Sequence, residues 1–185
     1  MIRPAVQSDV HVVQEVGRAA GELFRGVGDP SIAARADDPP FTIGELEAAC
    51  SEHRLWVAEE RGAVVGFIAA EVVDGCAHVE EVSVHPDAQG CGHGGALLDA
   101  VDEWAARQGL PAVTLTTYRD VPWNRPYYER RGFRVLADDE LTDGLRDVVR
   151  LEATLGLDPE LRVVMRRARR GAATPDRPRR PGRDL

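Results

Sequence analysis

The chain between residues 79 and 95 reads Val79-Glu80-Glu81-Val82-Ser83-Val84-His85-Pro86-Asp87-Ala88-Gln89-Gly90-Cys91-Gly92-His93-Gly94-Gly95. The residues up to Val84 predict a strand that ends at His85 and Pro86. Four glycines follow among residues 90–95. Apolar residues at helical spacing come next and predict an amphipathic helix, namely Leu97, Leu98, Val101, Trp104 and Ala105. The segment therefore predicts a strand, a glycine-rich turn and a helix in direct succession.

The glycine turn (Gln89–Gly95) has the features of an anion site. Glycine lets the backbone approach a ligand closely, and the first N–H groups of a helix have no intrahelical partner. These groups and the helix dipole favour phosphate oxygens, without any need for a lysine. A glycine-rich helix start that binds nothing also fits this segment taken alone.

Two familiar nucleotide motifs fit the glycine turn poorly. A mononucleotide P-loop requires Lys and then Ser or Thr after its last Gly, whereas Gly94 is followed by Gly95 and Ala96. The spacing of Gly90, Gly92 and Gly95 matches a dinucleotide fingerprint. That fingerprint belongs in a first strand–turn–helix unit with an acid about 20 residues further on, and no acid lies at that point here. An NAD-dependent oxidoreductase is therefore the weaker interpretation.

Outward from this segment, the pattern alternates strands and helices. Thr42 and Glu45 have the form of a capping box, Ser8 is expected to cap a helix that begins at Asp9, and residues 26–40 are expected to form a loop. Further helices are predicted over residues 124–131 and from Thr142 to Gly156. The predicted strands cover residues 2–5, 55–59, 64–73, 79–84, 113–117, 133–136 and 161–165. This order predicts an α+β, or mixed α/β, fold with one central sheet.

Composition limits the class of protein. The chain has 185 residues, of which 43% are hydrophobic and 29% charged, as expected for a globular domain. No apolar run suits a membrane span or a signal peptide. The cysteines, Cys50, Cys76 and Cys91, fit no disulfide framework. We therefore expect a cytoplasmic protein, with a domain at residues 1–170 and a disordered Arg/Pro-rich tail at 171–185.

Charge is unevenly distributed along the chain. Its net charge is −8, which combines −15 over residues 1–160 with +7 over residues 161–185. All 23 Lys and Arg residues are arginine. An acidic body repels nucleic acid and attracts cations, so neither nucleic acid nor membrane is expected as a partner.

Two motifs carry a resemblance to a known family. The first is Val82-x-Val84-x-Pro86 followed by Gln89, Gly92 and Gly94. The second is Tyr128 four residues before Gly132-Phe133. Together, in this order, they resemble the acyl-CoA-binding motifs of the GNAT superfamily of N-acetyltransferases. The resemblance implies a central, mostly antiparallel, twisted sheet of about six to seven strands flanked by helices.

The resemblance also implies a cofactor, acetyl-CoA as co-substrate, and its contacts. The pyrophosphate would lie on backbone N–H groups of Gln89, Gly90, Cys91, Gly92, His93, Gly94 and Gly95. The pantetheine arm would pair with the strand residues Val82, Ser83 and Val84, and the Val82 N–H would face the acetyl carbonyl. Asn124 corresponds to a polar position near the cofactor arm.

The resemblance implies that Tyr128 is the general acid, since a phenol can protonate a leaving thiolate. Tyr127 is adjacent, but the spacing to Gly132 favours Tyr128. The general base remains open between Glu80 and Glu81. Strand alternation places Glu80 on the face of His78 and Val82, whereas a bulge would turn Glu81 inward. For each carboxylate taken singly, a solvated charge at the strand edge is an equally good explanation.

The lone histidines, His78 and His93, are weaker candidates for a role in proton transfer. No group of His, Cys, Asp and Glu has the sequence spacing of a metal site, so no metal is expected.

The expected function is direct acetyl transfer from acetyl-CoA to a primary amine of a small molecule or peptide. The alternative is a catalytically silent acyl-CoA-binding regulatory domain. Trp123 either lines the acceptor pocket or covers the core. The acceptor depends on loops such as residues 26–40, and the resemblance allows a homodimer.

Overall fold

The computed structural model describes residues 1–169 and contains one seven-stranded sheet. The strands follow the order β1-β2-β3-β4-β5-β7-β6, and only β4 and β5 pair in parallel. The strands are β1 (Ile2–Pro4), β2 (Leu55–Glu60), β3 (Ala63–Val73), β4 (Cys76–Val84), β5 (Ala112–Tyr118), β6 (Arg134–Val135) and β7 (Arg162–Ala168). The predicted class, a mostly antiparallel sheet flanked by helices, is confirmed.

Residues 1–169 form six α-helices. They are α1 (Val10–Gly21), α2 (Pro30–Ala33), α3 (Ile43–Ser51), α4 (His93–Arg107), α5 (Arg125–Arg130) and α6 (Asp143–Thr154). Of these, α1, α3 and α4 pack on the two faces of the sheet. The capping box of α3 forms as predicted: the Glu45 N–H donates to the Thr42 hydroxyl, and the Thr42 N–H donates to the Glu45 carboxylate. Among the described residues, no helix is both long and apolar enough to cross a membrane.

Two apolar clusters lie on opposite faces of the sheet. On one face, α4 packs Leu97, Leu98 and Val101 against β2 to β5. On the other face, α1 and α3 enclose Val13 and Leu46 together with inward residues of β2 and β3. Burial of these side chains stabilises the fold by about 1.5–3 kcal/mol each. The strands thus form a layer between helices on both faces.

A β-bulge divides β4 and sets the orientation of its carboxylates. Ala69 pairs with Glu81 whereas Ala70 pairs with Val79, so Glu80 is the additional residue. Val79 and Val82 both pack on the α4 face, and Glu81 pairs with a residue of the α1 face. The expectation that His78, Glu80 and Val82 share one face is wrong, because the bulge shifts the alternation by one residue.

The bulge also marks the point where β4 and β5 separate. The two strands pair only from Ala77–Val113 to Val79–Leu115. Within residues 1–169, Glu80–Val84 has no strand partner on its β5 side. We call this gap the β4–β5 opening. Its Val84 end lies near the glycine turn, since a Cβ on Gly94 would be 3.9 Å from Val84 Cγ2, and so it joins two of the segments that the sequence singled out.

Two local expectations are wrong. Ser8 does not cap α1; it lies in a 3₁₀ turn (Gln7–Asp9), and the Asp9 carboxylate accepts from Arg3 and from the Val6 N–H. Residues 26–40 are not all loop, since they contain α2, whose Asp29 carboxylate accepts from the Ser31 N–H. The predicted tail at residues 171–185 lies outside the described residues.

Candidate active site

The glycine turn has an open backbone at the start of α4. Gly90 and Gly92 have φ of +76° and +84°, in the left-handed region that favours glycine. A Cβ added to either residue would meet no atom within 4 Å. Helix α4 begins at His93, directly after these two glycines, and its first N–H groups have no intrahelical partner. This arrangement suits an anion such as a pyrophosphate.

Arg131 brings a positive charge to the glycine turn. Its guanidinium occupies the space of the missing Gly95 side chain, since a Cβ there would lie 1.4 Å from Nη2. The same guanidinium lies 3.7 Å from the Asp99 carboxylate and over the Tyr127 ring. No pattern in the sequence indicated a role for this residue. Arg131 stands inside the Tyr128–Phe133 motif, but no spacing rule links it to Gly95.

Two adjacent tyrosines extend from α5 towards the glycine turn and the β4–β5 opening. A Cβ on Gly94 would lie 3.2 Å from the Tyr127 hydroxyl, so Tyr127 faces the turn. The Tyr128 ring packs against Phe133, with ring centroids 5.7 Å apart. Burial raises the pKa of Tyr128, and the nearby Tyr127 and Glu81 act in the same direction while Arg162 opposes them. The phenol therefore keeps its proton at neutral pH.

Asn124 positions both tyrosines through its backbone. It precedes α5, and its carbonyl oxygen accepts from the N–H groups of Tyr127 at 2.8 Å and Tyr128 at 3.1 Å. The side chain of Asn124 makes no capping hydrogen bond to α5. The helix start therefore fixes the direction of the two phenols.

The strand residues Val82, Ser83 and Val84 border the β4–β5 opening. Val82 and Val84 are half-buried against the α4 core, and the Ser83 hydroxyl donates to Glu81 Oε1 at 2.6 Å. Their backbone pairs with Gly66–Ile68 of β3 on one side. The other backbone edge is available to an extended ligand with amide groups.

Glu81 is a half-buried residue whose carboxyl lies beneath α1. A Cβ on Gly17 would lie 3.4 Å from Glu81 Oε1 and equally close to the Phe67 ring. Burial raises the pKa of Glu81, and the hydrogen bond from Ser83 opposes that rise. The group is thus enclosed and already has a polar partner.

Glu80, at the bulge, is more accessible. Its side chain is 30% exposed, and its carboxylate lies 3.7 Å from Arg54 Nη1. Burial raises the pKa of Glu80 to about 7, with a further contribution from Glu71, while Arg54 opposes the rise. A carboxylate with this pKa is half protonated at neutral pH, as suits a group that takes up and releases protons. Glu71 was not anticipated from the sequence because it lies on a different strand.

The histidines differ in their surroundings. His78 is buried, and its Nδ1 lies 2.9 Å from the Thr114 hydroxyl, which in turn donates to the Ala77 carbonyl. Burial lowers the pKa of His78 to about 4, so the ring stays neutral. His93 contacts Glu60 at the outer side of the glycine turn. Cys91 is exposed on the same turn.

A cavity of about 390 Å³ lies between the segment after α1 and the segment after β5. Asp29, Ile32, Asp120 and Trp123 are among its lining residues. Hydrogen bonds from Ser31 lower the pKa of Asp29, which is therefore ionised at neutral pH. The loop expected to determine the acceptor and the expected pocket residue Trp123 thus border the same space. Its volume suits a small ligand.

Comparisons with known proteins agree with this geometry. A model of the acetyltransferase (GNAT) family matches residues 25–133. An S-(2-succino)cysteine N-acetyltransferase of Bacillus subtilis is 30% identical over 151 residues, which are 77% of this chain and 88% of the relative.

A mycothiol acetyltransferase of Nocardiopsis dassonvillei is 44% identical over 85 residues, or 42% of this chain. The match spans only 26% of that relative's length.

One similar solved structure is that of N-acetylglutamate synthase from Neisseria gonorrhoeae, complexed with coenzyme A and N-acetyl-glutamate. The match to this structure has a TM-score of 0.69 and 19% sequence identity, and it covers 91% of the present chain and 35% of the synthase chain. This similarity confirms the fold that the sequence predicted.

Proposed function

The chain belongs to the acetyltransferase (GNAT) family, and from that premise we propose that it transfers the acetyl group of acetyl-CoA to a primary amine by direct attack. The observation that carries the proposal is the β4–β5 opening, which leads from the glycine turn past Val82 to the two carboxylates of the bulge. A thioester held along this edge would lie between an anion site and acid–base groups.

The cofactor would use backbone groups at both ends of the opening. The pyrophosphate would accept from N–H groups of the glycine turn, with the Arg131 guanidinium as a nearby countercharge. The amides of the pantetheine arm would pair with Val82–Val84 as an additional strand does. The Val82 N–H would then donate to the acetyl carbonyl oxygen and stabilise the oxyanion of the tetrahedral intermediate.

Acetyl transfer requires two proton movements. The neutral amine nitrogen attacks the thioester carbonyl carbon, and collapse of the tetrahedral intermediate breaks the C–S bond. Tyr128 gives its phenolic proton to the leaving thiolate, and the attacking nitrogen loses a proton to a carboxylate. The products are the N-acetylated amine and coenzyme A with a free thiol.

We infer that Glu80, rather than Glu81, accepts the proton of the amine. The pKa of about 7 favours Glu80, and so does its partial exposure, which leaves it accessible to an incoming amine. Glu81 is enclosed by Gly17 and Phe67 and already accepts from Ser83. Its expected contribution is to hold that part of the strand in place.

A small-molecule amine is the proposed acceptor. The cavity bordered by Asp29, Asp120 and Trp123 has a volume suited to such a ligand. The names of the two relatives point the same way, since each refers to a small molecule. A peptide α-amine is the alternative acceptor. The proposed compartment is the cytoplasm, as the cysteine content suggests.

The test measures binding and turnover on the full chain. Acetyl-CoA is titrated by calorimetry, and release of coenzyme A thiol is then followed with a panel of amines and short peptides. We expect binding and acceptor-dependent thiol release. Binding without release for any amine would favour the silent regulatory domain instead. Binding of NAD without binding of acetyl-CoA would contradict the proposal altogether.

A further inference from the structure

Three potential metal ligands meet on the outer side of the glycine turn. Glu60 ends β2, and Cys91 and His93 lie 31 and 33 positions later in the chain. Their ligand atoms all lie within 4.8 Å of one another. Spacing in the sequence does not reveal this group, because Glu60 is remote from the pair that it joins.

We propose that Glu60, Cys91 and His93 form a binding site for a divalent cation of the zinc class. The inference is independent of acetyl transfer, which needs no metal ion. The ion would link the end of β2 to the start of α4 and hold the glycine turn between them.

The distances between the donor atoms fit a small tetrahedral ion. His93 Nε2 and Glu60 Oε2 are 3.0 Å apart. A tetrahedral Zn²⁺ with bonds of about 2.0–2.3 Å holds its ligand atoms about 3.3–3.7 Å apart. The His93–Glu60 pair is therefore close to ligating separation, and the exposed Cys91 side chain has freedom to complete the site.

The ligand types decide the class of ion. A thiolate, an imidazole and a carboxylate together suit Zn²⁺, whereas Mg²⁺ and Ca²⁺ prefer oxygen ligands throughout. Three protein ligands leave the fourth tetrahedral position to water. On binding, the Cys91 thiol releases its proton to solvent and its sulfur becomes a thiolate ligand.

One of the three proposed ligands is largely buried, whereas the Glu60 side chain is 41% exposed and Cys91 is exposed. The His93 side chain is only 15% exposed, and its ring nitrogen is already directed at the Glu60 carboxylate. The Cys91 thiol donates to the Gln89 carbonyl oxygen at 3.7 Å and would give up that contact on binding an ion. His93 and Glu60 are therefore oriented towards each other before any ion binds.

The experiment uses the full chain, free of any affinity tag, stripped with EDTA and kept reduced with a phosphine. Zn²⁺ alone is titrated by calorimetry, and Co²⁺ alone is titrated by absorption. We expect one ion per chain, a thiolate-to-Co²⁺ charge-transfer band, and a melting temperature that rises with Zn²⁺ concentration. Cys91→Ser abolishes the band, and Cys91→Ser, His93→Asn and Glu60→Gln each weaken Zn²⁺ binding by about tenfold or more.

Cys76→Ser and His11→Asn are the matched controls, because these residues lie outside the cluster, on β4 and α1. They should leave the Zn²⁺ affinity and the Co²⁺ band unchanged. The absence of Zn²⁺ binding would overturn the site. So would a Co²⁺ band that persists in Cys91→Ser, or an equal loss of affinity in the two controls. Circular dichroism of each variant separates loss of ligation from loss of folding.

Discussion

Replacement of Glu80 by Gln is expected to remove a pH-dependent part of the acetylation rate. If Glu80 accepts the proton of the amine, only its ionised form is active. The glutamine side chain keeps the size and the bulge position but cannot accept that proton. The rate at saturating acetyl-CoA should fall about 10²–10⁴-fold at alkaline pH, the range expected for loss of a general base.

The pKa of about 7 for Glu80 determines the pH dependence. A group with that pKa is about one tenth ionised at pH 6 and about nine tenths ionised at pH 8. The amine acceptor also titrates, but it does so equally with both proteins. The ratio of wild-type kcat/KM to that of Glu80→Gln should therefore rise about tenfold between pH 6 and pH 8.

Two further variants sharpen this assay. Glu71→Gln removes a neighbouring negative charge that raises the pKa of Glu80, so the rise in rate should move to lower pH with little loss at pH 8. Glu81→Gln should not flatten the profile. The reasoning is refuted if the ratio for Glu80→Gln is constant with pH, or if Glu81→Gln alone removes the rise.

Three other outcomes follow from the site. Tyr128→Phe should lower kcat about 10²–10⁴-fold with little change in the KM for acetyl-CoA, whereas Tyr127→Phe should not; the reverse result would place the acid one residue earlier. Gly94→Val introduces a Cβ 3.2 Å from the Tyr127 hydroxyl and branches into the anion site, so calorimetry should show acetyl-CoA affinity reduced about tenfold or more in a folded protein. The net charge of −15 over residues 1–160 should favour cationic over anionic amines, and this preference in kcat/KM should shrink from low to high salt. Equal kcat/KM values for the two kinds of amine would exclude electrostatic steering.

Stability should depend on pH in a direction opposite to that of most ion-paired carboxylates. The folded pKa of Glu80 lies above its unfolded value of 4.5, so the folded chain binds more protons between about pH 4.5 and pH 7. The contribution of Glu80 to the free energy of unfolding is therefore present at low pH and is lost as pH rises through 7. Thermal melts should show Glu80→Gln raising the melting temperature more at pH 8 than at pH 5; no difference would argue against the raised pKa.

The sequence predicted the strands and the glycine turn well because their signals are local. Thr42 and Glu45 make the capping box that their spacing indicates, and His93 begins the helix after the turn. The short helix α2 also has a local signal in the sequence. Asp29 followed by Pro30 is a typical cap and first residue of a helix, but the surrounding glycines suggested a loop.

The orientation of the carboxylates could not be obtained in the same way. Alternation assumes that each residue of β4 faces one residue of β3, whereas Glu80 is additional between the pairs of Ala69 and Ala70. That mismatch depends on two strands at once, so a single strand's pattern cannot locate it. Glu71, on β3, and Arg131, at Gly95, reach the site for the same reason: tertiary packing brings them there.

The narrow β4–β5 junction within the sheet has a consequence for the degradation of the protein in a cell. Three residue pairs, from Ala77–Val113 to Val79–Leu115, join β1–β4 to β5–β7, and α4 packs across both groups. A junction of only three pairs is open to local separation of the two strands, and a ligand that binds only the closed sheet opposes that separation. If acetyl-CoA fills the gap as proposed, the cofactor completes the sheet as well as supplying the acetyl group. Resistance to proteolysis would then increase with the concentration of acetyl-CoA. Chains made while acetyl-CoA is scarce would be degraded faster than chains that have bound it.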